Sequence, residues 1–134
     1  MALFLDTAGW FTAISPKERA HAAAALAYRS AVAHGDALIT TDLVVAEMHA
    51  LLLRWRDPAT GARFLELVYE ASAHTVIHAD DEIMTDALGR WIRRYGDQRF
   101  SLCDAVSFEV MRRERLTTAL TFDRHFITAG FRTL

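Results

Sequence analysis

The chain has 134 residues, 52% of them hydrophobic and 24% charged, and a formal net charge of −2. That balance fits one packed domain spanning 1–134 and argues against a disordered chain or one drawn to nucleic acid by overall charge. With 6 glycines, 2 prolines and one cysteine, a turn-rich all-β protein and a disulfide scaffold are both disfavoured, and a reducing cytoplasm is the expected compartment.

In chain order, ALFL (2–5) reads as a buried strand, followed by a short helix or turn from Asp6 to Ile14. Ser15-Pro16-Lys17-Glu18 has the form of a helix start, with Ser as N-cap, Pro in first place and Glu closing a capping box. That helix is expected to run to about His34, where Gly35 stops it. ALIT (37–40) is a second strand, and Thr41 caps the helix DLVVAEMHALLLRWR. Asp57-Pro58 breaks the chain and opens another helix, to about Ser72. TVIH (75–78) is a third strand, and DDEIMTDALGRWIRRY is helical, with acids at its start and arginines at its end as the helix dipole favours. After a turn at Gly96-Asp97, Ser101 starts a helix through about Arg113. TALTF (118–122) is a fourth strand, Asp123 to Thr128 a helical turn, and FRTL a last short strand. Strands alternating with helices give an α/β fold with a parallel sheet and helices on both faces. In such sheets ligands bind beyond the carboxyl ends of the strands. No apolar run approaches the roughly 18 residues of a membrane helix, and no targeting segment is expected.

Charge is unevenly spread. Residues 1–87 hold 6 basic and 12 acidic side chains, and residues 88–134 hold 9 and 5. Lys17 is the only lysine; every other basic residue is arginine, whose planar fork suits phosphate. A basic second half favours a polyanionic partner, although a genome rich in arginine codons has the same effect.

Four carboxylates stand out by position. Asp6 directly follows the first strand and Asp123 the fourth, Glu47 lies within the helix after the second, and Asp104 is in the first turn of its helix. Ordinary explanations exist for each. Asp6 and Asp123 suit helix N-caps, Asp104 completes an S-x-x-D capping box with Ser101, and Glu47, flanked by Leu43, Val44, Met48 and Leu51, suits a buried ion pair with an arginine. Together they fit one site. Carboxylates gathered this way repel and raise one another's pKa, a penalty that a divalent cation removes. Oxygen donors without a Cys or His pair suit Mg²⁺ or Mn²⁺ rather than zinc. The matching chemistry is phosphodiester hydrolysis. No P-loop, dinucleotide fingerprint, G-x-S-x-G elbow or H-E-x-x-H is present. In FLDTAG the second acid of a D-x-D phosphatase motif is replaced by Ala8. His49 and His125 lie near the acids in sequence and read as surface or hydrogen-bonding residues.

LFLDTAGW (3–10), TTDLVVAE (40–47), FSLCDAVSF (100–108) and ALTFDRHF (119–126) resemble, in order and spacing, the acidic motifs of the PIN-domain family. The segment from Tyr95 onward is similar to the VapC ribonuclease toxins of toxin–antitoxin pairs. The resemblance implies a three-layer α/β/α fold with a parallel sheet of about five strands. It also implies a metal-dependent endoribonuclease in which Asp6 and Asp104 bind the metal and Glu47 and Asp123 orient the attacking water or a second ion. Thr121 stands at a recurring hydroxyl position of the family. Arg93, Arg94, Arg99 and Arg124 are candidates for RNA phosphate contacts. A homodimer, and inhibition by an antitoxin lying over the acidic site, are also implied. Some of Trp10, Phe11, Trp55 and Leu51-Leu52-Leu53 are either core or partner surface. Departures are small: Cys103 stands where Thr is common, and Gln98 and Arg99 follow Asp97 where Lys is common. The competing readings are a PIN nuclease of RNA processing without a toxin role, and a binding module whose acids are only caps and ion pairs.

Overall fold

The computed structural model describes residues 1–134. Five short strands, β1 (Ala2–Leu5), β2 (Ala37–Thr41), β3 (His74–Ile77), β4 (Thr118–Leu120) and β5 (Arg132–Thr133), form one sheet in the order β3-β2-β1-β4-β5. Every pairing is parallel. The chain moves outward from β1 through β2 to β3, then crosses back to β4 on the other side of β1. Right-handed crossovers therefore place the helices before and after that reversal on opposite faces. On one face lie α1 (Thr7–Ile14), α2 (His21–Ala33), α3 (Asp42–Trp55) and α4 (Pro58–Glu70), packed on one another. On the other lie α5 (Asp81–Ala87), a π-helical turn (Leu88–Arg93), α6 (Leu102–Arg113) and α7 (Arg124–Thr128). This is the expected three-layer α/β/α arrangement.

Each face has its own aromatic cluster. Trp10 meets Phe64 edge-on at 5.1 Å beneath α1 and α4. Phe108 lies edge-on to Phe126 at 4.9 Å and to Phe100 at 5.0 Å beneath α6 and α7. Phe4, Leu5, Leu38 and Leu120 separate the two, all essentially inaccessible.

Local chemistry sets most helix ends where the sequence places them. Thr41 accepts from the Val44 N–H, Asp57 from Thr60, and Ser101 and Asp104 form a reciprocal capping box. Gly35 follows α2 at φ +73°, a conformation that costs glycine little. One glycine is required by close approach instead. A Cβ on Gly9 would lie 2.0 Å from the Leu120 carbonyl oxygen, so only glycine lets α1 sit against the end of β4.

The helix expected from Ser15 does not start there. Its first turn is His21, and Ala20, which has no capping side chain, is the N-cap. Ser15 instead ends α1, its N–H donating to the Phe11 carbonyl, and two successive turns carry the chain to α2. α1 is only eight residues long and must reverse into α2, so the Ser-Pro signal is spent on the reversal. Lesser shifts are that β3 begins at His74 rather than Thr75, and β4 ends at Leu120, leaving Thr121 and Phe122 in the loop.

Candidate active site

The reversal of strand order between β1 and β4 opens a crevice at their carboxyl ends, the place where open α/β sheets bind ligands. Asp6 leaves β1 and Thr121 leaves β4 side by side there, with the Asp6 N–H donating to the Leu120 carbonyl. The Thr121 hydroxyl donates to Asp6 Oδ2 at 2.8 Å and accepts from the Asp123 N–H at 3.1 Å. One buried hydroxyl thus ties two acids from different strands.

α6 brings the third. The Ser101 N–H donates to Asp104 Oδ2 at 3.1 Å, so the capping box fixes this side chain at the helix start. Capping and a place in the site coexist. The same Oδ2 lies 3.1 Å from His125 Nδ1. The His125 backbone N–H donates to Asp123 Oδ1 at 2.9 Å, and its ring nitrogen is 3.5 Å from that oxygen. Asp104, Asp123 and His125 thereby bring one donor atom each within 4.8 Å of one another. Asp104 Oδ1 and Asp123 Oδ2 receive no hydrogen bond from the protein.

Asp6 is the most buried of the three acids, 5% exposed against 9% for Asp104. Burial pushes its carboxyl up to about 6, and Asp104 and Asp123 push in the same direction, against the hydrogen bonds from Thr121 and the Thr7 backbone. The two acids therefore act on Asp6 electrostatically although it lies outside the tighter trio. Beside it, the Thr7 hydroxyl oxygen is buried without a partner.

Glu47 differs from expectation. It is exposed and forms no ion pair with an arginine. The buried stripe of α3 is Val44, Val45, Met48 and Leu52, and Glu47 stands about 100° round the helix from Met48. Apolar sequence neighbours therefore did not make an apolar face. Glu47 nonetheless acts on the same cysteine as two of the other acids. Burial raises the Cys103 thiol pKa, and Glu47, Asp6 and Asp104 raise it further, which places all three acids around one side chain.

A sequence model described as "PIN domain" matches residues 3–132. The chain belongs to the PIN-domain family. This PIN domain is 28% identical over 131 residues to the 23S rRNA-specific endonuclease VapC20 of Mycobacterium tuberculosis, covering 96% of this chain and 95% of that protein. Its fold matches the crystal structure of VapC20, described as a sarcin-ricin loop cleaving toxin, with a TM-score of 0.85 at 24% identity over 97% of this chain and 96% of that one. It also matches VapBC2 of Rickettsia felis bound to a promoter DNA fragment (TM-score 0.70, 14% identity, 100% and 98% covered). A third match is FitAcB of Neisseria gonorrhoeae (0.68, 15% identity, 98% and 96% covered).

Four arginines of the PIN domain singled out from sequence, Arg93, Arg94, Arg99 and Arg124, are exposed and engaged in no ion pair. Others of the basic half are committed internally. Arg112 and Arg113 donate to Glu109, which is fully buried, and Arg90 lies 3.3 Å from it. Sequence reading missed Glu109; its signal was an i, i+3, i+4 acid–Arg–Arg spacing inside an apolar helix. It also undervalued His125, whose signal was its position two residues after Asp123. Among the surplus apolar residues, Trp10 and Leu52 are core, whereas Phe11 and Trp55 line a surface cleft of about 830 Å³ with Ser15 and Arg56. No helix is long and apolar enough to cross a membrane.

Proposed function

We propose that this PIN domain is a metal-dependent endoribonuclease, the toxin of a toxin–antitoxin pair, cleaving RNA phosphodiester bonds. One observation carries the reading. Three acids converge on the crevice beyond the sheet's switch point, and two of them keep an oxygen with no protein donor.

The donor set fits a small divalent cation. Carboxylate oxygens suit Mg²⁺ or Mn²⁺, the Asp6 carboxyl is pushed up to about 6 by burial and neighbouring acids, a penalty that a cation would relieve, and the Thr7 hydroxyl is left unpartnered beside it. Asp6 and Asp104 would hold the ion, with Asp123 alongside. When bound, such an ion supplies a nucleophilic water at neutral pH and offsets the charge that develops on the phosphate. Thr121 holds Asp6 in place, and Glu47 and Asp123 orient the attacking water. Arg93, Arg94, Arg99 and Arg124 contact RNA phosphates. The match to VapC20 across the whole chain supports ribosomal RNA as the first substrate to test. The VapC resemblance supports an antitoxin that covers the acids, a homodimer, and a cytoplasmic setting.

The test is Asp104→Asn assayed on RNA in Mg²⁺. Loss of an electrostatic group at the reacting centre is expected to slow cleavage by about 10²–10³-fold or more. A variant that cuts as fast as wild type removes Asp104 from the site. Sequencing 5′ ends of cellular RNA after induction would then identify the cleaved bond.

A further inference from the structure

We infer that His125 is a positioning residue, a strut that sets the spacing of Asp104 and Asp123 and turns their free oxygens toward the ion; this rests on the metal reading above. Its two nitrogens with fixed partners reach two different acids. The backbone N–H donates to Asp123 Oδ1 at 2.9 Å, and ring Nδ1 lies 3.1 Å from Asp104 Oδ2. An ionised carboxylate has no proton to give, so Nδ1 carries the hydrogen. Asp104 Oδ2 already accepts the Ser101 N–H, and the imidazole supplies its second donor. Two donors on one oxygen lock the carboxylate's rotation and leave Oδ1 for the ion.

Without the ring, Asp104 is fixed only to its own helix, and nothing ties the start of α6 to the start of α7 at this point. With it, the spacing between two acids from separate elements is set by one rigid side chain. The ring itself is held. Phe100 packs on it edge-on at 5.2 Å, and Phe100 is in turn seated against Phe108. Donors that orient metal-binding groups raise metal affinity without touching the metal.

The test uses Mn²⁺ as the probe. Calorimetric titration is performed on wild type, His125→Ala, His125→Gln and His125→Asn, with melting in EDTA checking the fold of each. The amide of Asn places its N–H where Nδ1 sits, whereas that of Gln lies one bond further out. Ala and Gln are expected to weaken Mn²⁺ binding about 10–100-fold, while Asn stays within about threefold of wild type. If Ala does not fold, the Gln–Asn pair carries the comparison. Ala and Gln binding Mn²⁺ as tightly as wild type would overturn the strut and leave the metal site standing. Wild type failing to bind Mn²⁺ would overturn both. Pulsed electron paramagnetic resonance of the Mn²⁺ complex is expected to show no directly coordinated nitrogen. A histidine nitrogen bound to Mn²⁺ would make His125 a ligand and refute the positioning role.

Discussion

Of the three carboxylates buried in this domain, Glu109, Asp6 and Asp104, the first two are treated in opposite ways. Glu109, inside α6, accepts from Trp91, Arg112 and Arg113. Burial raises its pKa, but those donors outweigh burial and hold it at about 2. Asp6, at the end of β1, has a hydroxyl and a backbone amide for donors and two more acids nearby, and rises to about 6. The first charge is neutralised within the chain and fixes α6 to α5 through Arg113, which also pairs with Asp86 at 2.7 Å. The second is left for something outside the chain. A buried acid surrounded by arginines is read as structure, and a buried acid surrounded by acids as the cation site proposed above.

The largest effect should come from breaking the closed network. Glu109→Ala leaves guanidinium groups facing a hole, and urea unfolding is expected to show a loss of about 3–5 kcal/mol. A loss below about 1 kcal/mol would mean the arginines relax into solvent and the network contributes little.

The opposite sign is expected at the open site. Asp6→Asn removes a carboxylate whose folded pKa is raised above its unfolded value, a group that opposes folding once ionised. In metal-free buffer near pH 7 the variant should be more stable by up to about 3 kcal/mol, while losing its stabilisation by Mg²⁺. A destabilised Asp6→Asn would show that Asp6 supports the fold rather than straining it.

The two acids also divide the pH axis. Asp6 makes the metal-free protein less stable as pH rises from about 4 to about 6, because the unfolded chain releases its proton first. Glu109 has a depressed pKa, so its contribution is present above the ordinary value of 4.5 and is lost as pH falls toward about 2. Unfolding free energy measured against pH should lose its upper slope in Asp6→Asn and its lower slope in Glu109→Gln. Identical profiles in both variants would break the contrast.

The smallest effect separates the partners of Asp6. Thr121→Val deletes the hydroxyl that favours the charged form, so the Asp6 carboxyl should titrate higher still, at a cost of about 1 kcal/mol near pH 7. An unshifted Asp6 titration, followed by carboxyl NMR, would show the hydroxyl to be incidental.

The sequence by itself determined the strand–helix alternation, the caps at Thr41, Asp57 and Ser101, and the acids at the strand ends. These are local signals: alternation, capping chemistry and position depend on a few neighbouring residues. Ser15 shows the limit of such signals, since a Ser-Pro helix start was overridden by the need to reverse a short helix. Glu47 shows another, because which side of α3 is buried depends on what packs against it. Only the tertiary structure decided that Asp6 and Asp123 meet through Thr121, that His125 bridges two acids, and that Glu109 draws arginines away from the basic surface. Each of these joins residues from separate elements or fixes which face of a helix turns inward. The order of strands and the rotation of helices about the sheet set those contacts, and neither is written in any single stretch of chain.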